Sequence, residues 1–132
     1  MMMRSSSFLR RVLIADAGAS AATGMAMIAA AGFVDQALGL PATLLRSAGI
    51  ALLPFAALVG VVATRAELPR AAVWAIIAAN AVWVIDSVAL LLSGWMAPTA
   101  LGIAVVLGQA AAVAVFAELE YMGLRRTALA AA

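Results

Sequence analysis

The sequence contains no cysteine, no histidine and no lysine. Without cysteine there is no disulfide framework, no iron–sulfur cluster and no thiol chemistry. Without histidine the usual haem ligand, the commonest metal ligand and the most frequent general base are missing. Without lysine there is no Schiff base. Charge is scarce as well. Only 11% of the 132 residues are charged and the net charge is +2, which argues against nucleic acid as a partner.

What the chain has instead is apolar length. Hydrophobic residues make up 67% of it, and the mean hydropathy is +1.16. A soluble domain is nearer half apolar and a quarter charged. The excess must face lipid. Crossing a bilayer takes roughly 20 apolar helical residues, and four stretches qualify: residues 13–34, 44–64, 71–93 and 99–122. Turn and charge signals separate them. These are Asp35 with Gly39 and Pro41; Arg65, Pro69 and Arg70; and Gly94 with Pro98. Strands are excluded by the length of the runs, and helices satisfy their backbone internally where there is no water.

The first stretch has a basic start (Arg4, Arg10, Arg11), as a signal peptide does. Asp16 interrupts its apolar region, however, and the apolar character continues to Val34, so a retained helix is expected. Arginine placement gives orientation. Arg4, Arg10, Arg11, Arg65, Arg70, Arg125 and Arg126 fall on one side and only Arg46 on the other. Both termini are therefore expected in the cytoplasm, and a dual-topology insertion is disfavoured. The expected fold class is all-α: a single membrane domain forming a four-helix up-down-up-down bundle. Residues 1–12, 65–70 and 123–132 would be cytoplasmic, and residues 35–43 and 94–98 outer loops. Arginine without lysine, with abundant alanine, suits a GC-rich bacterial genome, hence a bacterial inner membrane.

Small-residue pairs at four-residue spacing (Gly18 with Ala22, Ser20 with Gly24, Ala104 with Gly108) suit close helix packing. Pro54 is expected to bend the second helix. Trp95 and Tyr121 fall at opposite interfaces, as an aromatic belt requires, and Trp74 is expected to join the cytoplasmic belt.

Polar residues inside the spans are the candidate functional groups, because charge in a bilayer is costly. From helix midpoints, Asp16 and Glu118 lie about 11 Å to the cytoplasmic side, Asn80 and Gln109 near the midplane, Asp86 about 6 Å outward and Arg46 about 12 Å outward. At about 100° per residue, Asp16, Ser20, Thr23 and Met27 form one stripe, expected to face the interior. Asp16 is either a proton or cation site or an interfacial carboxylate paired with Arg11, Arg65 or Arg70, with Ser20 and Thr23 bonding their own backbone. Asn80 and Gln109 match in depth and are expected to pair. They serve as packing glue or as a substrate-binding amide pair. Asp86 is expected to pair with Arg46 and fix helix register, or else to stand as a protonatable carboxylate on an outward pathway. Glu120 shares a face of the last helix with Gln109 and Phe116, and Glu118 lies on the opposite side, but both are expected at a solvated helix end near Arg125 and Arg126. Glu118 stays a candidate because it matches Asp16 in depth.

No catalytic triad, metal-ligand cluster or phosphate loop is present, so neither an enzyme nor a cofactor is expected. The segments 40–46, Asn80 with Trp83, 97–102, Gln109–Ala110 and 123–126 resemble small four-helix bacterial inner-membrane proteins of uncharacterised function. That resemblance implies topology and no activity. A looser likeness is to small multidrug-resistance transporters, which have four short helices and an essential acidic residue in the first, where Asp16 stands. That family typically uses glutamate, and its aromatic residues are not recognisable here. Two functions follow: a structural or accessory subunit acting through helix–helix contacts, which is preferred because each buried polar group has a plausible local partner, or a small proton- or cation-coupled transporter using Asp16 or Asp86. The partners expected are membrane lipids, with a homo-oligomer or a larger membrane complex.

Overall fold

The computed structural model describes residues 2–4 and 7–131, with side chains over 7–127. Among the described residues there are four helices: α1 (Ser7–Leu38), α2 (Ala42–Thr64), α3 (Arg70–Ser93) and α4 (Ala100–Ala131). Each is long and apolar enough to cross a membrane. Large apolar side chains face outward throughout, among them Phe33, Ile85 and Leu92. Lipid rather than water suits such a surface.

The outer helices run past the apolar stretches. α1 starts six residues before Leu13, and α4 continues beyond Met122 through Arg125 and Arg126. Hydropathy marks the depth of hydrocarbon, whereas the helix itself persists wherever its arginines can reach the interface. One element was not expected. Strand β1 (Met2–Arg4) pairs antiparallel with β2 (Glu67–Pro69), aligning Met2 with Pro69 and Arg4 with Glu67. The side chain of Arg4 and those of residues 128–132 lie outside the described residues.

Local chemistry ends each helix. Gly39 adopts φ 66°, so its N–H donates to the Gln36 carbonyl at 3.3 Å and Leu40 N–H to that of Asp35 at 3.1 Å. This paired closure of the last turn depends on the left-handed glycine. At the end of α2, the Arg10 guanidinium donates to the Ala63 carbonyl and, at 2.5 Å, to that of Arg65. A cation on orphan carbonyls at the negative end of the helix dipole is favourable twice over. Thr99 opens α4: its hydroxyl accepts from Gly102 N–H at 3.1 Å and donates to the Ala37 carbonyl at 2.6 Å, tying α4 to α1.

Packing does not follow sequence order all the way round. α1 packs against α2 and α4, and α3 packs against α4, while α2 and α3 barely meet. Glycine decides which seams are tight. A Cβ on Gly49 would lie 2.6 Å from the Gly24 carbonyl oxygen, and one on Gly102 only 2.0 Å from that of Leu38. α3 contains no glycine and meets its neighbours through larger side chains. Of the small pairs in the sequence, Gly24 is at a close approach, but Gly18 and Gly108 have nothing within 4 Å. Pro54 faces outward and α2 passes through it without a break.

Two apolar cores hold the ends. Leu9, Leu13, Val59, Ile76 and Leu124 are in one, and Ala31, Leu38, Leu45 and Val106 in the other. The first end also gathers Phe8 under the Arg126 guanidinium (4.8 Å), and Trp74 edge-on to Tyr121 (5.8 Å). Between the two cores lie the polar side chains.

Candidate functional site

Three helices each send one buried polar side chain to a common point next to the first core. Asp16 comes from α1, Asn80 from α3 and Glu120 from α4. They are 2%, 4% and 0% exposed. The Asn80 amide uses one N–H on each carboxyl, at 2.9 Å to Asp16 Oδ2 and 2.8 Å to Glu120 Oε1. Ser20, one turn along α1, donates to Asp16 Oδ1 at 3.1 Å. The second oxygen, Glu120 Oε2, is buried with no hydrogen-bond partner among the described residues. Among the described residues neither carboxyl forms an ion pair with an arginine, and Arg10 bonds the carbonyls at the end of α2.

This arrangement corrects several expectations. Asp16 is not paired with Arg11, Arg65 or Arg70, and Ser20 bonds Asp16 rather than its own backbone. The inner-layer partner is Glu120, not Glu118, which is exposed. Asn80 does not pair with Gln109, because both its amide hydrogens are held by the carboxyls. The angular signal is in the sequence, but nearness to the interface reads as a solvated helix end. Glu120 follows Gln109 by eleven residues, which at about 100° each returns to within about 20° of the same face.

Gln109 joins a second network. Trp83 Nε1–H donates to its Oε1 at 2.6 Å, and its Nε2 donates to Ser87 Oγ at 3.0 Å and to the Val106 carbonyl at 2.8 Å. Ser87 in turn donates to the Trp83 carbonyl at 2.7 Å. The amide orientation is fixed by this network, since a flipped Gln109 would set its NH2 against the indole N–H.

The network lines a cavity of about 570 Å³, walled by all four helices where α2 and α3 diverge. Thr23 and Met27 lie on its α1 wall, so the stripe that begins at Asp16 does face the interior. The cavity ends at Thr23 and Trp83. Ser20 and Asn80 lie three residues further in, about one helical turn. Asp86 is on the cavity rim and exposed. It forms no ion pair among the described residues. Arg46 lies over Gly32 of α1, where a Cβ would be 3.1 Å from its Nη2. The expected Asp86–Arg46 pair does not form: α2 and α3 barely meet, and Arg46 reaches α1.

Among the described residues no group of three or more acidic, histidine or cysteine side chains could hold a metal ion. The chain matches no protein family, no curated protein and no solved structure.

Proposed function

We propose that this chain is a small transporter of the bacterial inner membrane, coupled to a proton or a monovalent cation at Asp16, Asn80 and Glu120. Its four helices would run up-down-up-down with both termini cytoplasmic, as the arginine distribution favours. The observation that carries this reading is the shared amide: one neutral donor serves two buried carboxyls, and one carboxyl oxygen is left without a donor. Carboxyls 3 Å or so from a common donor in a dry interior do not both carry charge uncompensated. With no arginine paired to them among the described residues, a proton or small cation is the compensating charge that can come and go. Groups of this kind inside a membrane mark ion pathways. The cavity one turn away supplies space for a solute, and the Asp16–Ser20–Thr23 stripe links the two.

Proteoliposomes with an imposed pH or sodium gradient test the proposal. Wild type should dissipate the gradient faster than empty vesicles, and Asp16→Asn and Glu120→Gln should fall to the empty-vesicle rate. Equal rates in all four preparations would overturn it. The accessory-subunit reading would then gain, and it has its own support: the facing sides of α2 and α3 are left unpacked within the chain.

A further inference from the structure

The cavity between α2 and α3 has a polar edge with an unusual balance of donors and acceptors. Trp83 has one side-chain donor, Ser87 one and Gln109 two, and all four are spent within the network and on backbone carbonyls. Acceptor capacity remains. Gln109 Oε1 and Ser87 Oγ each accept one hydrogen bond and keep a second lone pair. Asp86, next to Ser87 on the rim, is a carboxylate without an ion-pair partner among the described residues. Among the described residues of the wall, the uncommitted donor is the Thr23 hydroxyl, across the cavity on α1. The remaining wall is leucine, valine, alanine and methionine. A volume of about 570 Å³ is in the range of sites for small organic ligands.

We propose that this cavity binds an apolar molecule headed by a hydrogen-bond-donating cation, a primary alkylammonium being the simplest case. The head would donate to Gln109 Oε1 and Ser87 Oγ beside the Asp86 carboxylate, and the tail would lie along α2 and α1. Charge alone is not the criterion. A quaternary ammonium has the charge but no N–H, and a carboxylate-headed chain brings a further acceptor, and a like charge beside Asp86, to a site already rich in them. Naming this molecule as the transported solute rests on the function proposed above. The binding site itself does not, because it is separated by a helical turn from the carboxyl pair.

Trp83 reports occupancy directly. Replacing Trp74 and Trp95 with Phe leaves it as the sole tryptophan of the chain. In vesicles of phosphatidylcholine brominated in its acyl chains, lipid tails filling the cavity quench Trp83. An alkylammonium that displaces them should restore the emission saturably. The matching alkanoate and alkyltrimethylammonium should need about tenfold more, and Asp86→Asn should raise the alkylammonium requirement about three- to tenfold. Glu118→Gln, exposed on α4 and away from the cavity wall, should leave the binding curve unchanged. No recovery, or equal recovery by all three heads, would overturn the site and leave an ordinary lipid-filled groove. Binding without gradient dissipation would overturn the transport reading and retain the site. Dissipation without selective binding would do the reverse.

Discussion

Glu118 and Glu120 are two residues apart on α4, and rotation about the helix axis separates their fates. Glu118 points outward, whereas Glu120 is sealed between α1 and α3 on the Asn80 amide. Replacing a buried acceptor disturbs its donor as well as itself. Glu118→Gln should therefore leave the thermal midpoint of the purified protein unchanged, while Glu120→Gln shifts it. A scan followed by tryptophan emission checks both. If the two variants behave alike, the burial of Glu120 is wrong. Asn80 is the more exacting probe. Asn80→Leu strands Glu120 and leaves Asp16 with Ser20 alone, at a cost on the order of 1–3 kcal/mol. The double variant Asn80→Leu with Glu120→Leu removes the stranded carboxyl, and Asp16 keeps its Ser20 donor. Its loss should be smaller than the sum of the two single losses, as contacting residues require. Additive losses in reversible unfolding from mixed micelles would show that no bridge exists.

Among the helices, close approach is the organising variable, and it divides the glycines into two groups. Gly49→Ala and Gly102→Ala push a methyl against a facing backbone oxygen, so each should cost on the order of 1–3 kcal/mol. Gly18→Ala and Gly108→Ala meet nothing within 4 Å and should gain roughly 0.5–1 kcal/mol from helix propensity. The same unfolding measurement, read for sign, checks the division. It also shows what the amino-acid order could and could not convey. The four spans were legible because hydropathy is summed over some twenty residues, so single charges such as Asp16 and Asp86 do not hide them. Asp16, Ser20 and Thr23 were legible as an inward stripe because their phase belongs to a single helix. Seam identity was not, because an alanine-rich chain offers small pairs everywhere and only the facing helix selects among them. Depth alone pairs Asn80 with Gln109. Depth is one coordinate, and the rotation of α3 against α4 that brings Asn80 to Glu120 and Trp83 to Gln109 is another. Asp86 and Arg46 fail for a related reason: short connections suggest adjacency, but α2 and α3 are each held elsewhere.

At the scale of the molecule, the two ends differ in charge and in construction. β1, the β2 connection, Phe8 beneath Arg126, and Arg10 on the end of α2 are gathered at one end. The other is closed by Thr99 on the end of α1 and by Gly39 packed on the Ala97–Pro98 backbone. Seven of the eight arginines belong to the segments of the first end, and only Arg46 to the second half of the bundle. Insertion machinery holds back arginine-rich segments, so the first end should remain in the cytoplasm. The cavity with Asp86 would then lie toward the outer leaflet and the carboxyl pair toward the inner one, so that a solute and its coupling ion would meet the protein at different depths. The absence of native cysteine makes this directly measurable, since any thiol is one that has been introduced. Ala97→Cys, at the second end, should react with a membrane-impermeant maleimide in intact spheroplasts. Ala66→Cys, in the connection that leads into β2, should react only once the membrane is opened. The opposite pattern would invert the molecule and place the carboxyl pair on the outer side. Comparable labelling of both sites in intact spheroplasts would mean that copies insert both ways, which an arginine ratio of seven to one opposes.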